Sequence, residues 1–147
     1  MTDAVPLPTV LISDRQDRSI DTEPLVELAQ RCLVGEGLGA AELSVSFVGS
    51  EEIAELHRRY MDEPGPTDVL SFAQDADTAT EDGRRVLGDV VIAPSVAAAN
   101  NPQDPDAEVR LLLAHGILHL LGYDHEGDDE RAEMWARQER YSGVQVP

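Results

Sequence analysis

The stretch HGILHLLGYDH (residues 115–125) constrains this chain more than any other. Three of the four histidines lie in it, at relative positions 0, +4 and +10, with Gly122 at +7. Residues four apart share one face of an α-helix, so His115 and His119 can aim two imidazoles at one point. Gly122 can then take the left-handed conformation that ends a helix at low steric cost, and the turn beyond it can swing His125 back to the same point. Three neutral imidazoles that converge suit a Zn²⁺-like ion. Three protein ligands leave a tetrahedral ion one open position, which is the arrangement of a catalytic metal rather than a structural one. The bland alternative is a purely structural histidine cluster.

The same spacing occurs in the HExxHxxGxxH zinc peptidases, which carry Glu directly after the first His as general base. Here that position is Gly116, which has no side chain. The cradle of a peptidase is present and its proton-transfer group is missing.

A chain of 147 residues fits one domain, residues 1–147, and can bury a real core. With one Trp and two Phe, that core must be mostly aliphatic. The lone cysteine, Cys32, excludes an intrachain disulfide; at helical spacing with Leu25, Leu28 and Ala29 it reads as a small core hydrophobe. The opening MTDAVPLPTV has neither the basic start nor the apolar run of a signal peptide, and the longest apolar stretch is too short to span a bilayer. The expectation is a soluble cytoplasmic protein with no membrane partner. The formal charge is −18, and all eleven basic residues are Arg. Such a chain should bind bulk duplex DNA poorly, because nonspecific binding rests on Lys and Arg neutralising phosphates. A divalent metal and a few local arginines can still make a positive cleft on a negative body.

Periodicity predicts a strand at residues 9–12 and a helix from Thr22-Glu23-Pro24 to about Leu33. Residues 42–48 alternate apolar and polar, the period of a half-buried strand. Ser50 is an N-cap candidate for a helix reaching about Tyr60, with Glu51 and Glu52 in its first turn. Strands are expected at residues 67–72 and 86–93, flanking an acidic loop, with Gly88 marking a bulge or a close backbone approach. Pro94 and Ser95 start a short helix. Asp104 caps the long helix that carries His115 and His119; being apolar around much of its circumference, it should be central and buried. A last helix runs from about Asp128 to Tyr141. The fold class is α+β: a small mixed sheet packed with about five helices, the metal site on the long central helix and the turn after it.

PTDVLSF (residues 66–72), LGDVVIA (87–93) and HGILHLLGYDHEGDDE (115–130), in this order, resemble the YbeY family of bacterial rRNA maturation factors. The third segment is highly specific, the first adds strongly, and the second alone is weak. The resemblance implies a metal-dependent, single-strand-specific endoribonuclease. It would act in 3′-end maturation of small-subunit (16S) ribosomal RNA and in ribosome quality control, with one zinc ion on His115, His119 and His125. The implied partners are single-stranded RNA and small ribosomal subunit proteins. Many members have Arg directly after a Tyr before the PT motif, and it is thought to be catalytic. Here Tyr60 is followed by Met61, with Arg58 and Arg59 just upstream.

A zinc-bound water has its pKa lowered to about 7 in well-known hydrolases, and in RNA the neighbouring 2′-OH is an alternative nucleophile. An arginine near the metal would stabilise charge on the phosphate oxygens, and Arg59 is the candidate. The competing reading makes Arg58 and Arg59 solvated charges that counter the helix dipole. Asp124 can orient a ligand imidazole or cap the last turn. Thr67, Asp68 and Ser71 can line the cleft or close a turn; Asp89 is a weaker candidate, and His57 reads as a helix-surface residue. Two rival functions stand beside the nuclease. One is a metallopeptidase whose base comes from elsewhere in the fold. The other is a noncatalytic assembly factor that uses zinc for folding.

Overall fold

The computed structural model describes residues 7–61, 67–75, 78–123 and 127–144. Its elements in chain order are β1 (Thr9–Arg15), α1 (Thr22–Gly35), β2 (Ala41–Val48), α2 (Ser50–Met61), β3 (Val69–Ala73), β4 (Arg85–Ile92), α3 (Pro94–Asn100), α4 (Pro105–Leu120) and α5 (Asp128–Ser142). The strands form one mixed sheet in the order β1-β2-β4-β3. β1, β2 and β4 are parallel, and β3 runs antiparallel along β4 at the edge. The expected α+β class, with one small mixed sheet and five helices among the described residues, is what the chain forms.

Each element follows from local chemistry. The Asp21 carboxylate accepts the Glu23 N–H at 3.3 Å and caps α1. Leu25, Leu28, Ala29 and Cys32 then fall on one buried stripe of that helix. β2 alternates buried and half-buried residues from Ala41 to Phe47, as its sequence pattern predicts. Asp104 accepts the Ala107 N–H at 3.1 Å and Pro105 opens α4. Eight residues of α4 are buried, from Ala107 to Leu118, so this helix lies at the centre of the molecule as expected.

Strand alternation divides the apolar residues between two faces. On one face Leu43, Val45, Phe47, Val90 and Ile92 meet α1, α4 and α5 in the main core, with the Cys32 thiol buried among them. Burial, with Glu36 nearby, pushes that thiol up to about 12, so it packs as a hydrophobe. On the opposite face a smaller cluster of Val48, Ile53, Leu70, Val91 and Ala93 lies under α2. No helix among the described residues is long and apolar enough to cross a membrane.

Several boundaries differ from expectation; β4, expected over residues 86–93, spans Arg85–Ile92, and Ala93 is the N-cap of α3. β3 begins at Val69 rather than Thr67; just before it the Asp68 carbonyl accepts the Ala93 N–H and the Asp68 carboxylate accepts the Asn100 amide N–H. Ser50 is the first residue of α2 rather than its cap; the carbonyl of Gly49 accepts the Ile53 N–H. β1 continues to Arg15, whose guanidinium pairs with Glu52 of α2 at 2.7 Å. Gly88 behaves as its sequence context predicts. The β2–β4 register shifts beside it, its φ is +137°, and a Cβ there would lie 2.1 Å from the carbonyl oxygen of Phe72.

Candidate active site

His115 and His119 stand one turn apart on α4, both half-buried. Their rings meet edge-on, with centroids 4.5 Å apart. Both line a cavity of about 360 Å³ with Val69, Ser71 and Ala73 of β3. The i, i+4 prediction is therefore realised: two imidazoles share one face and one cavity. α4 stops as its sequence predicts. Gly122 has φ +98°, its N–H bonds the His119 carbonyl at 3.1 Å, and the Tyr123 N–H bonds the Leu118 carbonyl at 3.0 Å. These two bonds are the Schellman pattern that satisfies the last carbonyls of a helix. His125 and Asp124 lie outside the described residues. Among the described residues no group of three or more His, Cys, Asp and Glu gathers as a metal cage.

α5 orients His115. Its Nδ1 lies 2.8 Å from Oε1 of Gln138, and its ring packs edge-on to Trp135 at 6.0 Å. Gln138 was not among the residues that sequence reasoning singled out. The available signal is its place between Met134 and Tyr141 at i, i+4 and i+7, a polar residue inside an otherwise apolar stripe. On this side of His115 a second cavity of about 260 Å³ is lined by Asp68, Glu108, Trp135 and Gln138. Burial, and then the nearby Asp68 carboxylate, raise the Glu108 carboxyl above its ordinary range.

The carbonyl of Gly116 accepts the Ser71 hydroxyl at 2.9 Å and joins α4 to β3. A Cβ on Gly116 would sit 2.7 Å from Cγ1 of Val90 and 3.3 Å from both Ser71 Oγ and Val69 Cγ2. The position after the first histidine thus points into the sheet, where the general base of a peptidase has no room. Ser71 lines the histidine cavity and Asp68 the adjoining one, and the Thr67 hydroxyl donates to the Val69 carbonyl. Asp89 lies on the face opposite Val90, away from α4, and burial raises its carboxyl.

Arg59 is exposed near the end of α2, the helix that covers the face of the sheet opposite His115 and His119. The edge strand β3 separates the two, and Tyr60 packs against Phe72 on the α2 side with ring centroids 5.5 Å apart. Arg58 pairs with Glu55. The described residues do not bring Arg59 to the histidine cavity.

A half-buried glutamate braces the chain at Tyr123, just beyond the end of α4. Glu36, at the end of α1, accepts Tyr123 Oη at 2.7 Å, Tyr141 Oη at 2.5 Å and the Arg137 guanidinium at 2.6 Å. Burial acts to raise its pKa, but these three hydrogen bonds and the Arg137 charge outweigh it and hold it below 4.5. The Arg137 guanidinium also lies 5.0 Å from the centroid of the Tyr123 ring.

A family model described as Endoribonuclease YbeY matches residues 11–143. The chain is 47% identical over 133 residues to an Endoribonuclease YbeY of Kineococcus radiotolerans, a match covering 85% of this chain and 77% of that protein. It is 38% identical over 138 residues to an Endoribonuclease YbeY of Streptomyces coelicolor, covering 86% and 84%. Its fold is similar to the solution structure of TM1509 from Thermotoga maritima, with TM-score 0.58 and 28% identity, covering 91% of this chain and 87% of that one.

Proposed function

This chain belongs to the YbeY family of endoribonucleases, and from that premise we propose that it is a zinc-dependent, single-strand-specific endoribonuclease of the cytoplasm, one domain over residues 1–147. In this reading it acts in 3′-end maturation of small-subunit ribosomal RNA and in ribosome quality control. The observation that carries the proposal is the pair His115 and His119, ring against ring, at the wall of one cavity beside β3.

The donor set fits zinc. Two imidazoles on one helical face, one of them hydrogen-bonded through its other ring nitrogen, are the usual environment of histidine ligands. His125 is the proposed third ligand. A bound zinc ion would supply Lewis acidity towards a phosphoryl oxygen. The chain's own groups do the rest. Ser71 ties β3 to α4, so the strand and the histidines hold one spacing. Arg59, beyond the edge strand, is the proposed cation for phosphate oxygens of RNA that passes round β3. The peptidase alternative is disfavoured by Gly116, whose side-chain direction is filled by Val90. With a net charge of −18, affinity for free RNA should be weak and salt-sensitive, so the small ribosomal subunit and its proteins are the proposed means of presenting the substrate.

The test compares a labelled single-stranded RNA with its duplex, using zinc-loaded wild type and His119→Ala. Wild type should cut the single strand only, and a folded His119→Ala should lose both zinc and cleavage. Arg59→Ala should keep its zinc and cut about 100-fold more slowly. Cleavage by wild type and a zinc-free His119→Ala alike would overturn metal dependence. A His119→Ala chain that unfolds would point to the noncatalytic zinc factor. If free RNA resists wild type, an immature small ribosomal subunit is the substrate that decides.

A further inference from the structure

We infer that Gln138 is a positioning residue that selects the ring tautomer of His115. The inference rests on the reading of His115 as a metal ligand and deepens it. Oε1 of Gln138 stands 2.8 Å from Nδ1 of His115. A carbonyl oxygen can only accept, so the hydrogen of this bond belongs to Nδ1. In a neutral imidazole the lone pair then belongs to Nε2, on the far side of the ring, and Nε2 is the atom that binds an ion.

The acceptor is held in place. Gln138 is only 2% exposed, and it lies on α5 between Met134 and Tyr141, both buried in the main core. Trp135, one turn back, stands edge-on to the same imidazole at 6.0 Å. A ring gripped at Nδ1 and walled by an indole has little freedom to rotate. The opposite amide orientation would put an N–H donor against Nδ1 and move the ring hydrogen to Nε2, which cannot then be a ligand. A buried amide at this position has a further use: it carries no charge, so it orients the ring without adding an ion to the core.

The tautomer can be read without metal. In zinc-stripped protein with ¹⁵N-labelled histidine, long-range ¹H–¹⁵N correlation should show His115 protonated at Nδ1. Gln138→Leu and the less branched Gln138→Met should both lose that preference. Zinc affinity, measured by competition with a chromophoric chelator, should fall about 10–100-fold in both. Gln138→Glu, which restores an acceptor, should recover the tautomer and most of the affinity. Thermal melting confirms that each variant is folded. Folded Leu and Met variants with wild-type tautomer and zinc affinity would overturn the inference, as would wild-type His115 protonated at Nε2. A wild type that holds the Nδ1–H tautomer but takes up no zinc would overturn the metal reading alone and leave the role of Gln138 standing.

Discussion

Replacing Gly116 by Ala sets two well-understood effects against each other, and the structure decides the sign. Helix propensity alone favours Ala over Gly by about 1 kcal/mol in a helix interior. Against it stands the Cβ contact of 2.7 Å with Cγ1 of Val90, together with two contacts of 3.3 Å to Ser71 Oγ and Val69 Cγ2. Carbon pairs in well-packed cores prefer about 3.5–4.0 Å. Val90 cannot yield easily, because it is fully buried in β4 and its branched side chain is stiff about χ1. Overpacking of this kind costs about 1–3 kcal/mol. The net expectation is a loss of about 1 kcal/mol, with α4 displaced from β3 and the Ser71–Gly116 hydrogen bond stretched. Urea unfolding followed by far-ultraviolet circular dichroism, with an unchanged m-value, would measure it. A gain of about 1 kcal/mol, the full propensity effect, would refute the close approach of α4 to the sheet and the argument that a peptidase base has no room there.

Gly88→Ala should cost more, about 3–5 kcal/mol. It adds backbone strain at φ +137° to a 2.1 Å collision with a backbone oxygen that no rotamer change relieves. A loss below about 1 kcal/mol by the same unfolding assay would contradict the bulge geometry. For Glu36 the folded pKa is held below 4.5, so its ionised form adds stability that is fully present above that value and lost as pH falls through the lower folded value. The stability gap between wild type and Glu36→Gln should therefore shrink below about pH 4.5, and a gap that widens on acidification would refute the reasoning. Tyr123 adds a second, alkaline boundary. Its hydrogen bond to Glu36, with burial, pushes it from 10.0 up to about 12, so that stability is present below pH 10 and lost as pH rises through about 12.

Features that depend on neighbours along the chain were legible in the residues alone. Four-residue spacing put His115 and His119 on one face, and Gly122 ended the helix with the left-handed turn its lack of a Cβ permits. Alternation in residues 42–48 marked a half-buried strand, and apolar residues around much of the helix circumference, among them Val109, Leu112, Leu113 and Ile117, marked a central helix. Cys32 was legible as core because its partners sit on the same helical stripe. These features rest on backbone geometry within one or two turns, which periodicity encodes directly.

Which faces meet was not legible along the chain. That Gly116 points at Val90, that Gln138 reaches His115 across 23 positions of chain, and that Glu36 gathers Tyr123, Arg137 and Tyr141 are all consequences of helices docking on a sheet. So is the separation of Arg59 from the histidines: strand alternation in β3 sends Leu70 and Phe72 towards α2 but Val69 and Ser71 towards α4. A polar residue in a helical stripe announces that something must satisfy it, yet the partner's identity depends on the docking of another element. Such contacts are set by shape and by the need to satisfy buried groups through space, and no local spacing along the chain records them.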